Sequence, residues 1–597
     1  MPCPAERRAP AVTRVRGALA MLAPGMLALA LAAWCGLARA DVEIEVEGVS
    51  EEMRNNVLIF VSLARYRDRD DLDADTVQRL HDRVDREVRQ ALRPFGYYEP
   101  KVTAELLSRE SGRDWHVRIV VDPGQPVVLT EVAVDVRGPG AQEGAIRSII
   151  DGTVLRKGAR ADHPAYEKLK GDLQRTAVSI GYLDVKLTRH ELLVDPARLT
   201  AAVYLEAETG PRYRFGKTVI EQTAIEPELA ERFLRFREGD YFDAVALLKT
   251  QFALDDSQYF ASVEIVPGNR DPETLTVPLS ITAQTAARDR YSIGFGYGTD
   301  TRWRGTLTWD VRRVNRKGHR ARVELVWSNT KKEFDALYDI PVGDPAYEKL
   351  GLRLIASEQE LADLDSESLQ LRPGLTQVQG RWQRVLFAGF SREITRSAAE
   401  SKDDTLLIPG ISYSLLPASF AGGSLDLSRG LYAELTGSHS SLGSDADFLR
   451  LRIRDERTFD LSDKWHLLVR AELGTSFVAD FSELPGSQRF FAGGDQSVRG
   501  FGLNELSPVD AAGEKTGGRH LLVGSVEIVR DLPRNLGIAV FYDAGNAVNK
   551  LGDPLEYAAG IGLRWRLPIV TVGIDVAQAL SRSDLDPRLH LNISPRL

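Results

Sequence analysis

Residues 489–501 read RFFAGGDQSVRGF. Gly493 and Gly494 sit in the middle, and one cation, Arg499, stands between Val498 and Gly500. Glycine lets a backbone turn at positive φ and approach a wall closely. Phe490, Phe491 and Phe501 would press such a loop against an apolar surface. Arg499 would then need a carboxylate partner if buried. A surface loop with a solvated arginine is the alternative, and the flanking sequence decides between the two.

On both sides the pattern has period two, the signature of strands. Upstream, Trp465, Leu467, Val469, Ala471 and Leu473 share a face. Downstream, Ser525-Val526-Glu527-Ile528 sets Glu527 on the polar face, and Ile538, Val540 and Tyr542 leave Asp543 on the polar side. The alternation runs from about residue 286 to the C-terminus, as in Arg320–Trp327, Leu449–Arg454 and Tyr557–Trp565. A large soluble β-sandwich also alternates. Here the polar set is strongly charged, as a wet lumen requires. Trp303, Trp309, Trp327, Trp382, Trp465 and Trp565 all fall in this region, as interfacial girdles require. Residues 286–597 therefore read as a transmembrane β-barrel.

The other end is different. Arg7, Arg8, Arg14 and Arg16 precede an apolar run from Gly17 to Leu37, followed by Ala38-Arg39-Ala40. This predicts a secretory signal peptide over 1–40, cleaved between Ala40 and Asp41. Cleavage would remove Cys3 and Cys35, the only cysteines, so the mature chain would use no disulfides. After residue 40 no apolar run reaches the roughly 18 residues of a helical span.

Between leader and barrel lies a repeat. Gly96-Tyr97-Tyr98, Gly181-Tyr182-Leu183 and Gln258-Tyr259-Phe260 each follow a helical pattern and precede an alternating strand. In the first, Val77, Leu80, Val84, Val88 and Leu92 lie on one helical face. A shorter helix opens each unit, at about 50–63, 142–151 and 226–236. The order strand, helix, helix, strand, strand predicts three α+β modules over 41–122, 123–209 and 210–285. Such sheets have edges that can accept a partner strand. Asp68, Asp70, Asp71, Asp73 and Asp75 lack the glycine and distal glutamate of a calcium loop, and predict a solvated loop with an N-cap.

Catalytic signatures are missing. The nine histidines form no metal-spaced cluster and no Gly-x-Ser-x-Gly elbow occurs. Gly294, Gly296 and Gly298 precede no helix, so they make no phosphate loop and instead weaken a strand. The reading is of a non-enzyme without cofactor or metal. A formal net charge of −9 argues against nucleic acid as a partner.

The motifs together resemble the Omp85 family of outer-membrane assembly barrels. Val498–Phe501 looks like its Val-Arg-Gly-Phe loop, and Tyr291–Asp300 (YSIGFGYGTD) like its first barrel strand. Asn315–His319 (NRKGH), Tyr338–Pro341, Phe541–Asn546 (FYDAGN) and Gly560–Pro568 (GIGLRWRLP) look like later landmarks. The resemblance implies POTRA modules followed by a barrel of sixteen antiparallel strands. Three modules look most like the TamA-type branch. The chain ends Ser594-Pro595-Arg596-Leu597, whereas many members end in an aromatic residue.

By that resemblance the protein inserts or secretes outer-membrane β-proteins such as autotransporters. Its partners would be nascent β-proteins, outer-membrane lipid, including phospholipid traffic, and an inner-membrane-anchored protein of the TamB type. A passive pore or two-partner-secretion channel is the alternative. The Val498–Phe501 loop is expected in the lumen, with Arg499 paired to Glu527, Asp543 or both. A weak seam is expected between a first strand at about 291–299, carrying Tyr291, Gly294 and Gly296, and a last strand at about 588–594. Leu589, Leu591 and Ile593 would face lipid, and Pro595, which has no N–H, would limit pairing. Ser292 and Asn592 are the first pair to test for register.

Overall fold

The computed structural model describes residues 42–67, 73–108, 115–416, 430–568, 570–582 and 584–595. The expected leader with its Ala40–Asp41 junction lies outside these residues, as do Asp68, Asp70 and Asp71. Asp73 caps helix Ala74–His81, its carboxylate accepting from Thr76 N–H at 2.8 Å. The chain forms two compact units, divided between Tyr213 and Arg214.

The first unit holds two modules of one design. In one, strand Val42–Glu47 runs parallel to the central strand Trp115–Asp122, and Lys101–Ser108 runs antiparallel on its other side. In the next, Val128–Arg137 and Lys186–Asp195 flank Thr200–Glu208 in the same senses. Val77, Leu80, Val84, Val88 and Leu92 are all buried, as their spacing predicts, but on two helices, Ala74–His81 and Val84–Leu92. The first helix stops at Asp82, whose N–H turns back to the carbonyls of Gln78 and Leu80. The break preserves the apolar stripe.

The repeated Gly-Tyr pair is a helix stop. Gly96 and Gly181 have φ of +82° and +99°, and the following tyrosine N–H returns to the carbonyl of Leu92 or Ala177. This is a Schellman-type cap, which glycine accommodates without steric cost. Each glycine carbonyl then receives a later N–H, Val127 on Gly96 and Tyr213 on Gly181, both at 2.8 Å. The motif thus ends a helix and fixes where the chain leaves the module.

The second unit opens with the same sheet, Arg214–Glu221 and Phe260–Pro267 flanking Thr276–Thr285. Its helix in the 226–236 region is shorter than the spacing predicts, covering only Pro227–Glu231. Sixteen antiparallel strands, counted among the described residues, then close into a barrel in sequence order, from Asp289–Gly298 to Arg588–Pro595. The six barrel tryptophans are all exposed, together with Tyr291, Ile293, Phe295, Val540, Ile561 and Leu563. An apolar exterior of this kind is what lipid requires of a closed barrel.

This third module grips turns at one end of the barrel. Tyr259 Oη donates to the Gly318 carbonyl at 2.6 Å, and Arg235 clamps both oxygens of Asp344 at 2.6 and 3.0 Å. Glu226 N–H reaches the Arg316 carbonyl, and Arg320 donates to Gln258 Oε1. Gln258 replaces the repeat's glycine at φ +61°, a conformation costly for a side chain. Its amide supplies the barrel contact that glycine could not make.

Candidate functional site: the lumen loop and the barrel seam

The loop between the eleventh strand (Trp465–Val478) and the twelfth (His520–Leu532) folds against the inner wall. Phe490, Ala492, Val498, Phe501 and Leu506 pack with Leu521, Ala547, Ala558 and Ala579, all buried. Alanines on three wall strands, Ala547, Ala558 and Ala579, leave room for the loop's larger side chains. At Gly500 (φ +91°) a Cβ would stand 3.2 Å from Ala579 N and 3.3 Å from Ala558 Cβ. Only glycine allows both that backbone turn and that approach.

Seated so, Arg499 is 3% exposed. Its Nε and Nη2 donate to the two oxygens of Asp543 at 2.7 and 2.9 Å, and its backbone N–H adds a third bond to Asp543 at 3.1 Å. Nη1 donates to Glu527 at 2.6 Å, and the guanidinium lies 3.4 Å over the Phe541 ring. Ser525 Oγ donates to Asp543 at 2.6 Å. Arg564 holds Glu527 from the fourteenth strand (Glu556–Arg566) and pairs with Asp575 on the fifteenth (Val570–Ala579). Fork-to-carboxylate geometry of this kind fixes orientation as well as energy. The structure thus brings Arg499, Glu527 and Asp543 together and adds Ser525, Phe541, Arg564 and Asp575. The added charges were available from parity: Leu563 and Trp565 point outward, so Arg564 points inward, and Ile574 and Val576 do the same for Asp575.

The seam has few bonds. Among the described residues, the first strand pairs with the sixteenth only at Tyr297↔Ile593 and Gly298↔Asn592. Its other edge pairs with the second strand (Arg302–Val311) along all ten residues. The sequence reading placed Tyr291 and Gly294 at the seam. They lie on the first strand but have no ladder partner among the described residues of the last. Asn592 pairs with Gly298 rather than Ser292, because register is set by cross-strand contacts that a single strand's pattern does not record. Leu589, Leu591 and Pro595 pair with Val576, Ile574 and Val570 of the fifteenth strand, so Pro595 sits within a ladder on that side.

Side chains add ties where the ladder is short. Gly296 lacks the Cβ that would collide with Arg304 Nε and the Ile593 carbonyl. Arg304 therefore crosses the first strand to reach Asn592 Oδ1 at 3.0 Å and the Ile593 carbonyl at 3.4 Å. Thr299 N–H donates to the Leu591 carbonyl at 3.0 Å. Asp300, Asp495 and His590 bring carboxylate and imidazole atoms within 4.8 Å of one another. Gly500 N–H donates to His590 Nε2 at 2.9 Å, which places the ring proton on Nδ1, bonded to Asp495. The trio is a hydrogen-bonded chain, and the ring has no lone pair left for a cation.

Comparison with known proteins agrees with this geometry. A family model described as the Omp85 superfamily domain matches residues 282–595, and one described as the POTRA domain of TamA, domain 1, matches residues 43–123. The outer membrane protein assembly factor BamA of Nitratidesulfovibrio vulgaris (strain Hildenborough) is 22% identical over 386 residues. That match covers 57% of this chain and 45% of the relative, so it spans less than half of the BamA chain. The crystal structure of BamA from Haemophilus ducreyi lacking POTRA domains 1–3 superposes with a TM-score of 0.62 at 14% identity, covering 78% of this chain and 99% of that one. At that identity the likeness concerns the fold. With the superfamily domain spanning more than half of its length as a closed sixteen-strand barrel behind a POTRA module, the chain belongs to the Omp85 superfamily and is an outer-membrane protein with its POTRA region in the periplasm.

Proposed function

We propose that the protein assembles or secretes nascent outer-membrane β-proteins by letting a client strand pair with the edge of its first barrel strand. The observation that carries this is the two-pair seam. Between neighbouring strands elsewhere in the barrel, the shortest ladder has five pairs. Residues 289–296 have no ladder partner in the described part of the last strand, so their outer edge can template an incoming strand. In lipid, an unpaired backbone group costs several kcal/mol, so each client strand that adds there is driven by its own bonds, without nucleotide or cofactor. The TamA-type match of the first module supports an inner-membrane-anchored partner of the TamB type docking on the POTRA region. The apolar exterior flanking the seam supports contact with outer-membrane lipid.

The test is a lock. Tyr297→Cys with Ile593→Cys places thiols at a ladder pair, and the only native cysteines, Cys3 and Cys35, lie in the segment expected to be cleaved. Oxidised protein that still folds should stop assembling an autotransporter client, and reduction should restore assembly. Full client assembly with the disulfide verifiably closed rules the gate out.

A further inference from the structure

The last strand is fastened to the lumen loop as well as to the first strand. His590, 2% exposed, points inward between the outward Leu589 and Leu591. Both ring nitrogens bond to the loop, Nε2 accepting from Gly500 N–H and Nδ1 donating to Asp495. Asp495 in turn donates its N–H to Asp300 Oδ2 at 2.7 Å, in the turn between the first two strands. Thr299, beside Asp300, donates through Oγ1 to Asp495 and accepts there from Leu591 N–H. The loop therefore bridges the two sides of the seam. Gly500 is the neighbour of Arg499, whose side chain anchors the same loop to the twelfth and thirteenth strands (His520–Leu532 and Leu536–Val548).

We propose that His590 interlocks the seam with the lumen loop, so that the seam opens fully only when the loop leaves its seat. The inference rests on reading the seam as a gate. A buried imidazole with both nitrogens engaged cannot move with its strand unless two bonds break together, and those bonds end on a loop held elsewhere by ion pairs. Besides Asp495 and Asp300, further charged groups face the ring. Asp575, opposite His590 on the fifteenth strand, is neutralised by Arg564. Arg588, on the ring's own strand, stands 3.8 Å from Asp300 and 3.7 Å from Glu505 of the loop. Arg304 spans the seam on the second strand.

Amide hydrogen exchange of the full chain in detergent tests the interlock without any client. His590→Leu should raise exchange at 297–299 and 591–593 about tenfold, as loss of one or two buried hydrogen bonds implies. Arg499→Ala, on the loop and not on either seam strand, should raise exchange at the same amides, because the freed loop releases His590. In the His590→Leu background it should add nothing there, since the link is already cut. His590→Gln, whose amide both accepts and donates, should recover part of the protection. Additive effects of the two substitutions, or parental seam exchange in a folded His590→Leu protein, would overturn the proposal. If His590→Leu does not fold, Asp495→Ala removes the acceptor of the ring's Nδ1–H and is read by the same criteria. Failure of the cysteine lock to stop client assembly would sink the gate while leaving this coupling measurable. Absent coupling with a working lock would sink the interlock alone.

Discussion

Arg499 is the cation on which the lumen loop depends. The Asp543 side chain, wholly buried, receives three of its bonds. Glu527 keeps Arg564 when Arg499 is removed, so the cost falls mainly on Asp543. Breaking one side of a buried pair costs about 3–5 kcal/mol, because a charge is left without a partner. Arg499→Ala should therefore lower the temperature at which the barrel loses its folded gel mobility. Arg499→Lys should recover only part of the loss, since an ammonium cannot fork onto both oxygens of Asp543. If alanine and lysine behave like the parent, the ion pairs do not hold the loop. A second residue prediction concerns Asp300, in the turn outside the membrane-spanning strands. Burial, then the neighbouring Asp495 charge, pushes its carboxyl from the ordinary 3.8 up to about 6. The seated turn thus binds this proton more tightly than the freed turn. Its stabilisation is full below pH 3.8, erodes as pH rises and is lost above about pH 6. Heat resistance should fall across that window, and Asp300→Asn should flatten the profile. A parental slope in Asp300→Asn would assign the dependence to another group.

At the scale of elements, the first strand differs from its neighbours because one of its edges has so little to hold. Gly296 makes the Arg304 crossing possible, so any side chain there should displace the guanidinium and press on the Ile593 carbonyl. Gly296→Ala should raise exchange at Thr299 and Leu591 by about tenfold or more, the equivalent of losing one charge-assisted hydrogen bond. Unchanged exchange would mean that Arg304 does not contribute to closure. This contact also shows where sequence reading stops. Period two placed Glu527, Asp543, Leu589 and Ile593 on their faces, because parity is a local property of a strand. It could not place Asn592 opposite Gly298, because register depends on where the partner strand begins. The three Gly/Gln-Tyr repeats were visible as spacing, and their role as helix stops follows from the left-handed Gly96, Gly181 and Gln258. The single helix expected through Val77–Leu92 appears as two, since burial of the stripe constrains side chains and tolerates a break at Asp82–Arg83. The inward direction of His590 was legible from parity. Its bonds to Gly500 and Asp495 were not, because a loop about a hundred residues away has no periodic relation to it.

For the barrel together with its adjoining module, the question is which side of the seam moves. The module spanning strands Arg214–Glu221 to Thr276–Thr285 holds the turn between the second and third strands through Tyr259–Gly318 and Glu226–Arg316. It holds the turn between the fourth and fifth through Arg235–Asp344, with Arg235 stacked 4.9 Å from the Tyr347 ring centre. Burial pushes the Tyr259 hydroxyl up to about 12, so it stays a donor across the physiological range. These contacts brace the first wall of the seam. The opposite wall is fastened by the lumen loop through Arg499 and His590. Seating of the loop and bracing by the module should then be separable. The Arg235–Asp344 pair is bidentate but partly exposed, so its loss should cost only about 1 kcal/mol. Arg235→Ala with Tyr259→Phe should speed amide exchange in 315–319 and 344–348 while leaving 498–501 at the parental rate. Arg499→Ala should do the reverse, loosening 498–501 and the seam without touching the braced turns. Equal loosening of both regions by either change would mean that the barrel opens as one cooperative body, leaving no fixed wall against which the last strand could swing.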